Sequence, residues 1–252
     1  MPSLLIISHT EHYKNNNGDI IGWEPTVREI DFLSNLFDRV YHIAPLYNKA
    51  PHKANIKYSS NKVIFVPIKP KGGKGIVNKV KIVFYMPYII YKIIQLAEKC
   101  TFIHFRAPTN MGLFVLPLLL FYPKKRKWVK YAGNWKQNNI PISYYIQRWW
   151  LSKNILQSTV TINGRWKKQK KHLISFLNPC IDEKELISAR KIAQSKNFSK
   201  KLNICFVGRL DQNKGIDKLI DTLTVINGFK KIESVNIVGG GSSIIRENLL
   251  LN

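Results

Sequence analysis

Between Glu98 and Asp182 the chain has no acidic residue, although fifteen lysines and arginines lie from Lys99 to Ile181. Carboxylate chemistry must therefore come from outside that stretch, which reads as a surface for holding anions. Cysteine is scarce: Cys100, Cys180 and Cys205 fit neither metal-ligand spacing nor a disulfide framework, and a reduced, cytoplasmic protein is expected. Long apolar runs are missing too. The most apolar stretch, Met111 to Tyr122, is interrupted by Pro117 and falls short of the roughly 20 residues a membrane-spanning helix needs. The amino terminus lacks the basic, apolar and small-residue succession of a signal peptide and reads as a first strand. No helix-turn-helix, RNP-like or zinc-finger string occurs, and there is no D-x-D to hold a divalent metal.

What is present is a globular composition with a large excess of base. Of 252 residues, 45% are hydrophobic and 12% aromatic, which excludes a disordered or fibrous chain. The net charge of +25 points to anionic partners: phosphorylated ligands, acidic polysaccharide, anionic lipid or nucleic acid.

Short apolar runs alternate with helix-length amphipathic segments. Leu4 to Ser8, Arg39 to Ala44, Val63 to Pro67, Phe102 to Phe105, Trp128 to Tyr131 and Thr159 to Ile162 read as strands, several apolar throughout, as strands covered on both faces must be. Thr26 and Glu29 have capping-box spacing and open a helix through Phe37, and Tyr88 to Lys99, Met111 to Tyr122 and Pro141 to Lys153 supply others. The alternation predicts an α/β fold with a doubly wound parallel sheet over residues 1–165. A polar stretch over 166–202 reads as a linker. The pattern restarts over 203–252 with barely two βα units, part of a second Rossmann-like domain.

The restart carries the most chemistry. A strand expected to be buried, Asn203 to Val207, ends at Gly208, which lets a ligand approach the backbone, and a helix begins near Gly215 with Ile216, Leu219, Ile220 and Leu223 as its buried stripe. Arg209 and Lys214 bracket that helix N-terminus, where the dipole already favours an anion, so the loop reads as a diphosphate site. The string Gly208-Arg209-Leu210 through Lys214-Gly215 resembles the G-R-L-x-x-x-K-G signature of glycosyltransferase family 4, retaining enzymes of the GT-B fold. Val235 to Ser242 resembles that family's next strand and I-V-G-x-G loop, with Gly239 and Gly241 against the nucleotide. The resemblance implies a nucleotide-diphosphate-sugar as donor substrate, no cofactor and no metal, with Arg209 and Lys214 stabilising the departing diphosphate.

The amino-terminal half is similar to the family's acceptor domain in bacterial surface-polysaccharide assembly, on the strings Trp23 to Glu29, Phe105 to Gly112, Ala132 to Trp135 and Gln147 to Trp149. The chain stops at Asn252, before the region where the family carries an E-x7-E motif, which implies an incomplete donor domain. A truncated non-catalytic chain, or a subunit completed by another, stays open beside the enzyme, as does a basic nucleic-acid-binding protein. Acceptor-side candidates are Gly18 and Gly22 in the loop after the first strand, His104 and Arg106 at a strand's end, and Asn134. Arg106 is suited to an acceptor phosphate. His104 reads either as a proton shuttle or as a hydrogen-bonded structural histidine. His9 and His12, with Glu11 between them, stand three residues apart on a loop, which is poor evidence for a metal site, so no metal is expected there. Aromatic and basic residues interleave over Lys79 to Ile94, and Lys124 to Lys127 follow an apolar helix. Both segments fit peripheral adsorption to an anionic membrane, where a lipid-linked saccharide acceptor would be found.

Overall fold

A computed structural model describes residues 2–51, 54–70, 76–176, 181–197, 201–210, 214–225 and 231–240. Their strands are β1 (Ser3–Ile7), β2 (His12–Lys14), β3 (Ile20–Trp23), β4 (Arg39–Pro45), β5 (Asn55–Lys57), β6 (Val63–Ile68), β7 (Phe102–Ala107), β8 (Arg126–Asn134), β9 (Thr159–Asn163), β10 (Leu173–Phe176), β11 (Leu202–Val207) and β12 (Ile232–Val238). The helices are α1 (Glu24–Ser34), α2 (Ile76–Lys99), α3 (Gly112–Leu118), α4 (Ile142–Lys153), α5 (Glu183–Ser195) and α6 (Ile216–Val225). They divide into two compact units, Met1–Cys180 and Ile181–Asn252.

Seven parallel strands form the first unit's sheet in the order β10-β9-β8-β7-β1-β4-β6. Both faces of the middle strands are covered, so Leu4, Leu5, Ile6 and Ile7 of β1 are all buried, as are His104 and Arg106 of β7. Leu5, Ile7, Ile103 and Phe105 join Ile93 and Ala97 of α2, Val115 and Leu116 of α3 and Leu151 of α4 in the larger core. Ile30 of α1 packs with Leu4, Ile6 and Val40 in a second cluster.

Local sequence explains where the elements depart from expectation. Helix α1 begins at Glu24 without a side-chain cap, since Pro25 suits the first turn and the buried Thr26 hydroxyl accepts from Arg106. The loop expected over His9 to Gly22 is largely a hairpin of β2 and β3, extended by β5. Strand β10 pairs with β9, carrying the sheet beyond residue 165. The stretch expected as linker also holds α5, opened by a capping box in which Glu185 N–H donates to Asp182 and Asp182 N–H to Glu185. Strand β11 alternates half-buried and exposed residues instead of being buried, with Val207 75% exposed, because its sheet has two strands. Of the stripe expected on α6, Ile216 is fully buried and Leu219, Ile220 and Leu223 are half-buried. Among the described residues no helix is long and apolar enough to cross a membrane.

Candidate functional site

Ligands of a doubly wound sheet bind outside the strands' carboxyl ends, where the strand order reverses. Here the chain leaves β1 toward β4 and β6, then returns through α2 to β7 on the other side of β1. A cavity of about 940 Å³ opens at that reversal. His9 and Thr10 follow β1 and Thr109 and Asn110 follow β7, while Tyr13, Trp23, Tyr47 and Tyr85 give it an aromatic wall. Ile82, Tyr85 and Ile89 lie on one side of α2 and face it.

Three charges lie under this cavity. One carboxylate oxygen of Glu29, Oε2, accepts from Arg106 at 2.8 Å and from Lys130 at 2.7 Å, while Oε1 is buried with no partner among the described residues. Lys130 is 2% exposed, and its ammonium also sits 4.0 Å from the centre of the Phe176 ring. Burial raises the Glu29 pKa, but Arg106 and Lys130 outweigh it and hold the carboxyl below its ordinary value. Arg106 is 7% exposed and lines the cavity.

A closed ring of hydrogen bonds fixes the loop after β1. The Thr10 carbonyl can only accept, so His12 Nδ1, 2.8 Å away, carries the proton and Nε2 accepts from the Tyr58 hydroxyl at 2.7 Å. Tyr58 Oη then accepts from His42 Nδ1 at 2.7 Å, His42 Nε2 accepts from the Ser8 hydroxyl at 2.8 Å, and Ser8 Oγ accepts the Thr10 N–H at 3.2 Å. The circuit thus starts and ends on Thr10. Burial holds His12 down to about 4 against the opposing pull of the Thr10 bond. His42 lies well below its ordinary value through burial and the positive potential of its neighbours. Burial, and then Arg106, lower His9 as well, with Glu11 opposing.

The acceptor-side candidates separate on this geometry. Arg106 reaches the cavity, but its guanidinium is already engaged by Glu29 and Thr26. His104 does not reach it: the ring is fully buried, stacked 3.8 Å from Trp128, with Nδ1 3.3 Å from the Trp128 carbonyl. Burial and the Arg106 charge hold it down to about 3, so it is a structural histidine. Gly22 makes room for the His12 ring, since a Cβ there would lie 2.5 Å from His12 Nε2. Gly18 turns the β2–β3 hairpin with φ +82°, its N–H donating to Asn15. Asn134 is exposed at the end of β8 and accepts the Lys136 N–H. The strings quoted above are tied together structurally: Gln147 bonds both the N–H and the carbonyl of Thr109, and Arg148 donates to the Trp135 carbonyl. Sequence reasoning missed the circuit of His12, His42 and Tyr58, because the three stand far apart in the chain.

In the second unit, the loops after β11 and β12 are zipped by Gly208 N–H to the Val238 carbonyl at 3.0 Å and Leu210 N–H to the Gly240 carbonyl at 2.9 Å. Only glycine fits at 239, where a Cβ would stand 1.8 Å from the Gly208 oxygen. Gly215 takes φ +74° and its carbonyl accepts from Leu219, opening α6 directly after Lys214. Arg209 and Lys214, both ahead of this turn in the chain, are exposed. Gly241 lies outside the described residues. Among the described residues no three His, Cys, Asp or Glu side chains converge as a metal site.

No protein-family model matches this sequence, and no curated protein is significantly similar to it in sequence. Solved structures share its fold. Sucrose-phosphate synthase from Thermosynechococcus elongatus is 14% identical with a TM-score of 0.59, over 100% of this chain and 67% of that one. UGT2 of Phytolacca americana, solved with UDP-2fluoro-glucose and pterostilbene, is 10% identical with a TM-score of 0.50, over 96% of this chain and 72% of that one. An alpha-glucosyltransferase in complex with UDP-glucose and DNA is 12% identical with a TM-score of 0.49, and the chain spans 60% of its length. The fold is that of GT-B glycosyltransferases, with a partial Rossmann-like second unit.

Proposed function

We propose that the chain is the acceptor domain and part of the donor domain of a glycosyltransferase that uses a nucleotide-diphosphate-sugar, with retention, in polysaccharide assembly. The observation that carries this reading is the zipped pair of loops in the second unit, whose glycines bring two backbones together after β11 and β12, a few residues before α6 in the chain. Arg209, Lys214 and the first-turn amides form a cradle of positive potential there. A diphosphate leaving from a sugar needs that charge most in the transition state, so the cradle stabilises departure more than ground-state binding. The G-R-L-x-x-x-K-G resemblance supports retention and the roles of Arg209 and Lys214.

Arg209→Ala is expected to weaken UDP binding by about 1.5–3 kcal/mol, roughly 10- to 150-fold, as for loss of a charge-assisted hydrogen bond. Calorimetry measures this, with and without chelator. Affinity unchanged by the substitution would remove the cradle from the reading.

The reading extends to a lipid-linked acceptor at an anionic membrane surface. Support comes from apolar side chains the first unit leaves in solvent: Phe84 is 82% and Phe121 80% exposed, and Ile142, Tyr145, Ile146 and Trp149 make an exposed stripe along α4. Lys125 and Lys127 are partly committed elsewhere, since each donates to a backbone carbonyl. Vesicles containing anionic lipid should sediment with the chain and release it at high salt. Equal partition onto neutral vesicles would show that charge plays no part.

A further inference from the structure

We propose that Glu11, Tyr47 and Trp23, on the wall of the first unit's cavity, bind the ammonium group of an amino sugar. Lys49 covers the site until that ligand displaces it. Binding of the amine is independent of the transferase reading; only the ligand's role as acceptor rests on that reading. The Lys49 ammonium shows what kind of group the wall holds. It stands 3.5 Å from Glu11 Oε2, 4.7 Å from the centre of the Tyr47 ring and 5.7 Å from that of Tyr13. A carboxylate beside aromatic faces at such distances attracts an organic cation through both its charge and the ring quadrupoles.

The receptor is fixed, whereas its occupant is loosely held. Tyr13 is buried and its hydroxyl donates to Glu11. Tyr47 N–H donates to the His12 carbonyl at 2.8 Å, which ties the second ring to β2. Lys49 reaches in from solvent with its side chain 52% exposed, and an ion pair of that kind costs a competing ligand little to replace. The hairpin adds a third face. Tyr13 lies opposite Ile21 and His12 opposite Gly22, so the next step of the register sets Trp23 across from Glu11. Trp23 is 49% exposed and lines the cavity together with Glu11, Tyr13 and Tyr47. Its indole is a platform for the apolar face of a sugar, and Thr10 and Asn110 supply polar groups for hydroxyls. Glu11 is the one acid among the described lining residues. Of the cations there, Arg106 is paired with Glu29, and Lys69 is exposed to solvent, which screens it. A cavity of about 940 Å³ leaves room for a whole sugar beyond the amine.

The test uses the whole 252-residue chain near pH 7, with glucosamine, glucose and methylammonium as probes in calorimetry. Glucosamine is expected to bind at least about fivefold tighter than either of the others. Lys49→Met keeps an unbranched apolar stem and removes the competing ammonium. It should raise glucosamine affinity about two- to fivefold, a gain that a purely structural ion pair would not give. Glu11→Gln, which can still accept from Tyr13, should lower the affinity about fivefold or more with unchanged circular dichroism. Tyr47→Leu should act in the same direction through loss of the ring, and serves if the glutamine variant does not fold. Glucosamine bound no tighter than glucose or methylammonium, affinity not raised by Lys49→Met, or undiminished binding in whichever of the other two variants folds would overturn the proposal. UDP titrated into the same samples separates this failure from that of the transferase reading, because UDP affinity depends on Arg209 and on none of these three residues.

Discussion

Acidification from pH 6.5 toward pH 4 is expected to unfold the Met1–Cys180 unit, with a melting temperature that is nearly flat above pH 7 and falls steeply below 6.5. His12, His42 and His104 are fully buried, and each takes a proton less readily when folded than when unfolded. In the unfolded chain all three protonate near 6.5. The unfolded state therefore binds more protons as the pH drops, and stability is lost over that interval. For His12, folded at about 4, the loss approaches roughly 3 kcal/mol and is complete only when the folded ring itself protonates. His104, at about 3, adds a slightly larger loss extending lower, and His42 works in the same direction. Glu29, whose folded pKa is lowered, adds its own loss at still lower pH. Together these approach the whole stability of an ordinary domain, about 5–15 kcal/mol. Calorimetric melts across the range measure the effect. A melting temperature unchanged down to pH 4.5 would show that the histidines protonate without opening the fold.

Glu29→Ala is expected to cost about 3–5 kcal/mol, the usual penalty for stranding a buried charge, because it strands two. Adding Lys130→Met should restore part of that loss: the second change removes a buried ammonium that has lost the Glu29 carboxylate, while its replacement keeps the packing against Phe176. Urea denaturation of the single and double variants gives both numbers. A cost below about 1 kcal/mol for Glu29→Ala would mean that water or another acid takes over the carboxylate's role.

What the sequence made legible is local. Leu4 to Ile7 announces a central strand because continuous apolarity is what double coverage demands, and Phe102 to Phe105 does so with His104 as its one polar residue. Arg209 and Lys214 stand five residues apart on one loop, so their relation to the helix that follows needs no tertiary knowledge. Arg106 was legible as a cation at a strand's end. Its engagement by Glu29 was not, since the partner lies 77 positions upstream. The histidines suffered likewise: His12 with His9 and Glu11 raises only the question of a metal, and only the pairing of β1 with β4 brings His42 and Ser8 into the same circuit. The hairpin of β2 and β3 escaped because its strands are short and joined through Asn-rich turn residues. Helix α5 did carry a readable signal, Asp182 followed by Glu185, obscured by a charge-rich composition that resembles a linker.

The placement of β7 beside β1 has a consequence for synthesis. Ser3 bonds Thr101 across 98 positions, and the whole of β1 waits for β7 on that edge. At about 5–20 residues per second, the second strand leaves the ribosome roughly 5–20 s after the first. During that interval β1 can pair with β4, while its other edge stays open to a second nascent chain. The cavity takes Arg106 and Thr109 from the late strand's end and His9 and Thr10 from the early one's, so it cannot be complete before β7 docks. A chain released before β7 docks would carry α1, α2 and two groups of three strands, β1-β4-β6 and β2-β3-β5, but only part of the pocket.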